Sequence, residues 1–471
     1  MRVALINPPP AEGRRFIREG RCMQSVASWA ALWPPLTLAQ LAALARRDGH
    51  DVLLTDGNVE PDPTLKAVTE TTRRFAPDVI VISTGFPSLD GDHALALALR
   101  QACPGVPITG LGQFFTLTRT EGFADTPAFD LALIGEPELP FLNLLGWLAA
   151  GRPESPPAGI MSRDDSGKPV DAIPCSQMEQ LDELPFPAVD YLKREAYRLP
   201  HNGQPFMLVN VARGCSAPCI FCIAPAYHGR RLRRHSLEYV MAELAYFDSS
   251  FGLKHFLFWE EVFAHDRPFA EELCAAMIAR GSPWSWAATT RADKVDKSLL
   301  TLMKRAGCFL LGLGIESGNQ QILDTARKGE TLEDTRRAVA LCREVGIRSM
   351  GHFIFGLPGE TPETARETLR FALSLGLDYL QCYAAVPYPG TPLGQLARER
   401  GWIRAERWSQ YDFGGPSIMD IGTISPVEVD AFRRRLFRRF YFSPRFLARQ
   451  AQELLWNPRQ LAQAAGFLRW I

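Results

Sequence analysis

Three cysteines lie close together near the middle of the chain. Cys215, Cys219 and Cys222 have the spacing C-x3-C-x2-C. Thiolates are soft ligands for zinc and for iron–sulfur clusters, and a loop of this length can bring three sulfurs around one site. Most such sites use four protein ligands, so one ligand is missing here. Two possibilities follow: a structural zinc site completed by His228, or a four-iron cluster with one iron open to a substrate or cofactor.

The spacing of these cysteines favours the cluster. Zinc knuckles are expected to use paired C-x2-C units, and the C-x3-C spacing differs from them. If three thiolates hold a four-iron cluster, the iron without a protein ligand becomes the functional position. The chain has ten cysteines, and those outside this motif are scattered singly, which does not form a disulfide framework. They are expected to be small buried residues in a reducing compartment.

The overall composition is that of a globular enzyme. With 471 residues, 46% of them hydrophobic, the chain can bury a large core, and its length suggests two or three domains. Its 52 basic and 52 acidic residues balance, so no general attraction to nucleic acid or to an anionic membrane is expected. No stretch reaches the ~18 apolar residues of a transmembrane segment. A cytoplasmic enzyme is therefore expected.

Residues 1–150 alternate short apolar strands with segments of helical length. Strands are predicted at 2–7, 52–56, 78–84, 107–110 and 131–135, with helices between them, for example at 36–48, 62–75 and 91–103. Continuously apolar strands separated by helices predict an α/β fold with a doubly wound, Rossmann- or flavodoxin-like parallel sheet buried on both faces. Such sheets bind ligands at the carboxyl ends of their strands.

The rest of the chain divides into three parts. Residues 151–204 are rich in proline, glycine and mixed charge, and predict a linker with little structure apart from a hairpin turn at 163–168. Residues 205–390 contain six strand–helix units, which predict a partial (β/α)6 barrel with its chemistry at the carboxyl ends of the strands. The cysteines follow the first of these strands. Residues 391–471 are predicted to be mostly helical, with a solvated basic face.

The cysteine loop and four later segments resemble the radical S-adenosylmethionine (SAM) enzymes. The motif after the first barrel strand is followed, in that family's order, by FWEEVF at 258–263, TTRAD at 289–293, GLGIESG at 312–318 and GHFIFGLPGET at 351–361. The resemblance covers residues 205–390. It implies a [4Fe–4S] cluster on the three cysteines, whose open iron chelates the amino and carboxylate groups of SAM.

The resemblance implies a role for each of the first segments. Phe221 corresponds to the aromatic residue whose backbone meets the adenine of SAM. Glu260 and Glu261 correspond to the acidic motif that accepts hydrogen bonds from the SAM ammonium group, and alternation along the strand would direct one of them away from the barrel mouth. Taken alone, the same pair could be an ordinary exposed helix start. Arg291 would pair with the SAM carboxylate through its guanidinium.

The later segments imply contacts with the nucleoside part of SAM. Glu316 and Ser317 lie in the segment that resembles the family's ribose-binding stretch. The glycines of 351–361, Gly356 among them, correspond to a strand that contacts adenine, where a missing side chain lets the backbone approach a flat ring.

The front domain resembles the B12-binding domain of cobalamin-dependent radical SAM enzymes. NPPP at 7–10, STGFPS at 83–88, GLGQFFT at 110–116 and IGEPE at 134–138 are similar to the strand-end loops of those domains. The resemblance implies that these loops line a corrinoid, and an alternative is a flavodoxin-like module that only packs on the barrel. The implied cobalamin-binding residues are Asn7, Thr84, Gly85, Gly110, Gly112, Gly135 and Glu136.

Two departures from that resemblance concern the cobalt. The D-x-H-x-x-G motif is absent, because Leu53 stands where DGHDVL at 48–53 would need glycine. Phe114 stands where this subgroup commonly has a histidine. Of the histidines outside the barrel and the tail, His93 is the one expected near the site. We predict a base-off corrinoid without a protein imidazole below the cobalt.

The resemblance implies methylation of an unactivated carbon of a small-molecule or lipid-like substrate. In that reaction a 5′-deoxyadenosyl radical removes a hydrogen atom, and methylcobalamin supplies the methyl group. An alternative keeps both cofactors but closes a ring or oxidises its substrate, as in the oxygen-independent cyclase of chlorophyll biosynthesis. A second alternative is a non-catalytic corrinoid or electron carrier. Electrons for the cluster would come from a flavodoxin or ferredoxin.

Overall fold

Two large sheets organise the part of the chain that the computed structural model describes, namely residues 1–20, 22–26, 31–153 and 155–456. The strands are β1 (Arg2–Asn7), β2 (Phe16–Glu19), β3 (Cys22–Ser25), β4 (Asp51–Asp56), β5 (Val79–Ser83), β6 (Ile108–Leu111), β7 (Leu131–Leu133), β8 (Ile160–Arg163), β9 (Pro169–Val170), β10 (Met207–Val209), β11 (Ala212–Arg213), β12 (Arg233–Arg234), β13 (His255–Phe258), β14 (Ser285–Thr290), β15 (Cys308–Glu316), β16 (Arg348–Phe355) and β17 (Tyr379–Ala384). The helices are α1 (Leu36–Arg47), α2 (Leu65–Phe75), α3 (Leu89–Ala102), α4 (Gln113–Ala124), α5 (Glu138–Ala149), α6 (Ala224–His228), α7 (Leu237–Phe251), α8 (Arg267–Arg280), α9 (Lys297–Arg305), α10 (Gln320–Thr325), α11 (Leu332–Val345), α12 (Pro362–Leu375), α13 (Pro392–Glu399), α14 (Pro426–Tyr441) and α15 (Pro444–Trp456).

The front sheet confirms the predicted α/β fold. Its order is β4-β1-β5-β6-β7-β8-β9, and the first five strands are parallel. Every residue of β5 is buried, as expected of a strand covered by helices on both faces. The loops at the carboxyl ends of these strands therefore share one edge of the sheet, which is where such folds bind ligands.

The segment after the front domain has more structure than the sequence indicates. Residues 163–168 do form the expected turn, in which the Asp164 amide donates to the carbonyl of Lys168. The turn joins β8 to β9, and β8 pairs antiparallel with β7. Part of the segment predicted as a linker thus extends the front sheet.

A hairpin near the N-terminus lies over the front sheet and has no counterpart in the sequence prediction. Strands β2 and β3 pair antiparallel. From β2, Arg18 forms a buried ion pair with Asp92 at 2.7 Å and donates to Asn7 at 3.0 Å. Because Asn7 ends β1, the hairpin covers part of the edge where the predicted ligand loops lie.

The second sheet is the predicted partial barrel. Its order is β10-β13-β14-β15-β16-β17, and all five pairings are parallel. The helices that return to the next strand mostly begin at a polar residue whose side chain accepts a hydrogen bond from the helix backbone, which fixes where each strand-end loop stops. These residues are Ser236, Asp266, Asp296, Asn319, Thr331 and Thr361.

The described part of the C-terminal region is mostly helical and packs on the barrel. Helix α14 buries Phe432, Leu436 and Phe440, while its arginines alternate with them. Tyr441 fixes the helix to β17, because its hydroxyl donates to the Leu380 carbonyl at 2.7 Å and accepts from the Leu380 amide. The arginine-rich sequence is therefore the outer face of a packed helix. Among the described helices, none is long and apolar enough to cross a membrane.

Candidate functional site

A short loop closed at its base presents the three cysteines. Strand β11 leads into the loop and β12 leads out of it, and the two strands pair antiparallel. Gly214 begins the loop with φ of +97°, and a Cβ there would lie 2.1 Å from the carbonyl oxygen of Arg231. A side chain at this position would therefore push the two ends of the loop apart. The Cys222 amide donates to the Cys219 carbonyl at 3.4 Å, which folds the loop around its last two cysteines.

The cysteine loop faces a cavity of about 350 Å³ inside the barrel. All three cysteines line this cavity, and none of them forms a disulfide. Four further residues predicted to bind SAM line it as well, from three different strand ends and from the cysteine loop itself: Phe221, Glu261, Arg291 and Glu316. The barrel therefore brings together residues that are up to about a hundred positions apart in the sequence.

The donor set suits a cluster better than a structural zinc ion. Within the described ranges, no group of three or more histidine, cysteine or carboxylate side chains converges on a point that could hold one metal ion. His228, the possible fourth zinc ligand, is engaged elsewhere: its Nδ1 lies 2.8 Å from Glu136 and its Nε2 lies 3.8 Å from Glu261. Three thiols at the mouth of a cavity fit a [4Fe–4S] cluster whose fourth iron faces the cavity.

A buried ion pair faces the cysteines across the cavity. Glu316 ends β15 with φ of +63°, in the left-handed region that residues other than glycine seldom adopt. The Nζ of Lys328 lies 3.0 Å from its carboxylate, and both side chains are almost fully buried. Burial disfavours the charged form of Lys328, but the nearby carboxylates outweigh it and raise the pKa of Lys328. A charge of each sign on this wall suits the ammonium and carboxylate groups of SAM.

Lys328 is a candidate site residue that the sequence analysis does not identify. It lies in the loop after α10, followed by a glycine with φ of +68°. A lone lysine in a loop is ordinarily solvated, so the sequence carries no signal for it. Its burial and its position on the cavity wall become visible only in the folded structure.

Arg291 occupies the predicted place, but its guanidinium already has partners. It follows β14 directly and donates to the carbonyl of Lys328 at 2.8 Å and to the carbonyl of Gly329 at 3.3 Å. It also bonds to Asp293 at 2.9 Å. Arg291 therefore holds the loop that carries Lys328, and its contact with the SAM carboxylate stays a prediction.

Three other predicted residues do not line the cavity. Glu260 is buried beside Glu261, which is the one of the pair that faces the cavity. Ser317 is fully buried, and its hydroxyl lies 3.1 Å from that of Thr368 on α12. Gly356 follows β16 and lies under Val429 of α14. Ser317 and Gly356 therefore support the ends of the strands that carry the cavity residues.

Glu261→Gln is expected to weaken SAM binding about tenfold to a hundredfold, because it removes one charge-assisted contact with the SAM ammonium group. Iron content should stay unchanged, since the cysteines are intact. The measurement is SAM affinity by calorimetry on the reconstituted protein. Glu260→Gln is the matched control and should bind SAM nearly as the unaltered protein does. Equal affinity in both variants would refute the assignment of this motif.

The residue that supports Gly356 should give the protein a measurable pH dependence. Burial raises the pKa of Glu360 to about 8, although its carboxylate accepts a hydrogen bond from the Gly356 amide. Because the folded pKa lies above the unfolded value, ionisation of Glu360 lowers stability progressively between about pH 4.3 and pH 8. Glu360→Gln is expected to be more stable than the unaltered protein at pH 9, by roughly 5 kcal/mol, and equally stable at pH 4. Urea unfolding at both pH values checks this, and an equal difference at both would contradict it.

The residues predicted for the corrinoid share the carboxyl edge of the front sheet, but most are packed by protein atoms. Asn7 donates to Asp56 at 2.8 Å, and Gly85 donates its amide to Asp92 at 3.2 Å. A Cβ on Gly110 would lie 2.1 Å from the Phe115 ring. Internal packing thus explains these glycines without a ligand.

The remaining corrinoid positions differ in the space around them. A Cβ on Gly112 would lie 2.2 Å from the carbonyl oxygen of Thr84. Gly135, with φ of +83°, has no atom within 4 Å of such a Cβ. The cavity itself reaches the front domain at Trp33 and at Gln24 of the β2–β3 hairpin. Room for a corrinoid therefore lies beside Gly135 and at this face, and its individual contacts stay predictions.

Glu136 lies in an ionic cluster between the two domains. Its carboxylate bonds to Arg233, lies 2.8 Å from Nδ1 of His228 and lies 3.3 Å from Arg213. Arg213 also pairs with Glu138 at 2.6 Å. Burial opposes ionisation of Glu136, but the hydrogen bonds from His228 and Arg233 outweigh it and hold the pKa of Glu136 below its ordinary range. The cluster ties the front-sheet edge to both ends of the cysteine loop.

Two family models match the chain in the order of its two sheets. The B12 binding domain matches residues 25–145, and the radical SAM superfamily matches residues 209–372. The fold and the cysteine site are therefore those of a radical SAM barrel preceded by a B12-binding domain.

Known relatives cover most of the chain. An uncharacterized methyltransferase of Pyrococcus horikoshii is 30% identical over 420 residues, which span 89% of this chain and 90% of the relative. The anaerobic magnesium-protoporphyrin IX monomethyl ester cyclase of Cereibacter sphaeroides is 27% identical over 426 residues, spanning 88% of this chain and 68% of the relative. The solved structure of the radical SAM methyltransferase TsrM from Kitasatospora setae, with cobalamin and a [4Fe–4S] cluster bound, has a TM-score of 0.70 at 18% identity and covers 92% of this chain and 88% of that one. The chain belongs to the family of cobalamin-dependent radical SAM methyltransferases, whose cofactors are a [4Fe–4S] cluster, SAM and cobalamin.

Proposed function

We propose that this protein methylates an unactivated carbon of a small-molecule or lipid-like substrate. The observation that carries the proposal is the single cavity that joins the cysteine loop, a wall with charges of both signs and a large apolar surface. The charged wall suits SAM, and the apolar surface suits a substrate carbon without an activating group nearby. Cobalamin supplies the methyl group in this family.

In this proposal, one set of residues binds the cluster and SAM, and another set excludes water from the cavity. Cys215, Cys219 and Cys222 hold the cluster at the mouth of the cavity. Glu261 and the Glu316–Lys328 pair orient the amino acid part of SAM, while Arg291 holds the loop that carries Lys328. The aromatic and aliphatic side chains beyond them exclude water from the reacting centre.

Transfer of a labelled methyl group tests this function. The reconstituted protein, with cobalamin and a strong reductant, is incubated with SAM carrying a deuterated methyl group and with extracts of small molecules. A product that gains one deuterated methyl group supports methylation. A product of ring closure or oxidation without the label favours the reaction of the cyclase, which has the same domain order. If neither 5′-deoxyadenosine nor a labelled product forms from SAM, the protein is a non-catalytic corrinoid or electron carrier and the proposal is wrong.

The proposed function requires single electrons for the cluster. We expect a flavodoxin or ferredoxin to supply them, because these proteins transfer one electron at low potential. The cysteine loop, which would hold the cluster, is bonded to the front domain through Arg213 and Arg233, so such a partner would approach near this loop.

The cobalt is expected to lack a histidine ligand. On α3, His93 turns its Nε2 toward the Ala128 amide at 3.3 Å and stacks on Phe129. Burial lowers the pKa of His93, which agrees with a neutral imidazole held inside the domain. Electron paramagnetic resonance of the cob(II)alamin form should therefore show no nitrogen splitting from the protein. A splitting that disappears in His93→Ala would contradict this expectation.

A further inference from the structure

The cavity extends well beyond the part that SAM would use. Its lining includes Glu316, the last residue of β15, and Phe309, the second residue of the same strand. Seven residues of extended strand separate them, which corresponds to roughly 23 Å. The cavity thus runs along most of the height of the barrel, from the cysteine loop to the amino ends of the strands.

The inner face of β15 lines the cavity along most of the strand. Leu310, Gly312, Gly314 and Glu316 alternate along the strand and line the cavity. The two glycines in the middle let neighbouring side chains approach the strand: a Cβ on Gly312 would lie 3.0 Å from Nε2 of His352, and a Cβ on Gly314 would lie 2.7 Å from the Glu316 carboxylate. Polar side chains of the cavity wall therefore pack directly against this strand, and the cavity lies beside them.

Charge is confined to the upper end of this cavity, or channel. Within the described lining, the residues with formal charge are Glu261, Arg291, Glu316 and Lys328. The first three end or follow barrel strands, and Lys328 lies within hydrogen-bond distance of Glu316. The lower half is apolar or aromatic. Its residues are Leu199, Phe206, Leu257, Phe309, Leu310 and Met350, with Tyr379 at the start of β17.

One polar cluster interrupts the apolar lining at mid-height. His352 of β16 and Gln381 of β17 are paired in register, and the ring of Tyr383 stacks on His352 at 6.0 Å. The Tyr383 hydroxyl donates to the side-chain oxygen of Gln381. The side-chain oxygen of Gln381 thus accepts from Tyr383, and the side-chain NH2 group of Gln381 can donate to a ligand in the cavity.

We propose that the substrate is elongated and carries an apolar chain that occupies the lower half of the barrel. A neutral hydrogen-bond acceptor on the substrate, such as a ketone or amide oxygen, accepts from Gln381. The inference rests on the proposed function, because it places the substrate in the same cavity as SAM. No residue of the described lower lining carries a formal charge, and the charged residue next to it, Arg348, donates to the Tyr379 hydroxyl at 3.0 Å.

Binding of straight-chain methyl ketones tests the channel directly. The reconstituted protein with SAM is titrated with a series from 2-heptanone to 2-tridecanone, and affinity is measured by calorimetry. Affinity should rise about fourfold with each added methylene until the chain fills the channel. In Met350→Phe and in Leu310→Phe, which add volume to the lower half, the rise should stop at a shorter chain. Short ketones should bind these variants as they bind the unaltered protein.

Two further variants separate the two parts of the proposal. Met350→Leu, which adds no volume, should keep the full dependence on chain length. Gln381→Leu should weaken every ketone by about fivefold, independent of length, because one hydrogen bond is lost. The proposed position of the apolar chain would be refuted if ketone affinity in the unaltered protein did not depend on chain length. It would also be refuted if affinity in both phenylalanine variants rose with chain length as far as it does in the unaltered protein. Transfer of a deuterated methyl group can succeed while this test fails, so failure of the channel and failure of the proposed function are distinguishable.

Discussion

Alanine at Cys215, Cys219 or Cys222 is expected to abolish both the bound cluster and the cleavage of SAM. Each cysteine lines the same cavity and supplies one thiolate, and a cluster held by two thiolates is not retained. The effect should be complete in all three single variants, because each of them leaves only two thiolates in the loop. Iron content, visible absorbance and formation of 5′-deoxyadenosine measure it.

Buried cysteines elsewhere in the barrel provide matched controls. Cys274, Cys308 and Cys342 are at most 1% exposed, and burial raises the pKa of Cys274 and of Cys342 to about 12. Thiols in such surroundings are inert packing residues. Replacing each by alanine should cost stability but leave iron and SAM cleavage in place. Retention of iron in all three cysteine-loop variants, or its loss in every control, would overturn the assignment of the cluster.

The sequence predicts the two sheets because their strands are continuously apolar and alternate with well-capped helices. Helix α11, for example, has clear boundaries in the sequence, since Thr331 caps its start and Gly346 its end. Strands β2 and β3 are harder to predict, because they are four residues long and carry charged or polar side chains. A short strand without an apolar pattern depends on the surface that it covers, which the local sequence does not show.

For the site, too, the sequence predicts the residues that stand at strand ends but not those that are placed by contacts between distant segments. The cysteine loop and Arg291 stand at strand ends, so their common location follows from the barrel topology. Lys328 joins them only because its neighbouring loop folds back on Arg291. Glu136 was predicted to contact a corrinoid, whereas its observed partners include Arg233, 97 residues away in sequence. Contacts between domains leave no periodic signal in either partner.

Glu136 could bind the corrinoid or stabilise the ionic cluster between the two domains, and the two roles predict different effects of the same substitution. If Glu136 acts only on the corrinoid, Glu136→Gln should change cobalamin affinity and leave stability unaltered. The observed geometry favours the other outcome, because Arg213 and Arg233 are almost fully buried and share this carboxylate. Removing one partner from a buried ionic cluster leaves uncompensated charge.

Glu136→Gln is therefore expected to lower the free energy of unfolding by about 3 kcal/mol at pH 7. His228 and Arg233 hold the pKa of Glu136 below its unfolded value, so the carboxylate stabilises the protein above about pH 4.3 and loses that contribution as the pH falls toward its folded pKa. The difference between the variant and the unaltered protein should consequently shrink at acidic pH. Urea unfolding between pH 2 and pH 7 measures it, and the change should lie below about pH 4.3.

Glu121→Gln is the control for removal of a carboxylate, because Glu121 forms an exposed ion pair with Arg398 at 3.2 Å. Exposed pairs contribute roughly 0–1 kcal/mol, so this variant should unfold nearly as the unaltered protein does. A Glu136→Gln protein that matches this control in stability at pH 7 but binds cobalamin less tightly would assign Glu136 to the corrinoid instead. Reduced stability with a gap that closes at acidic pH would show that the carboxylate joins the front sheet to the cysteine loop, and so links the two cofactor domains.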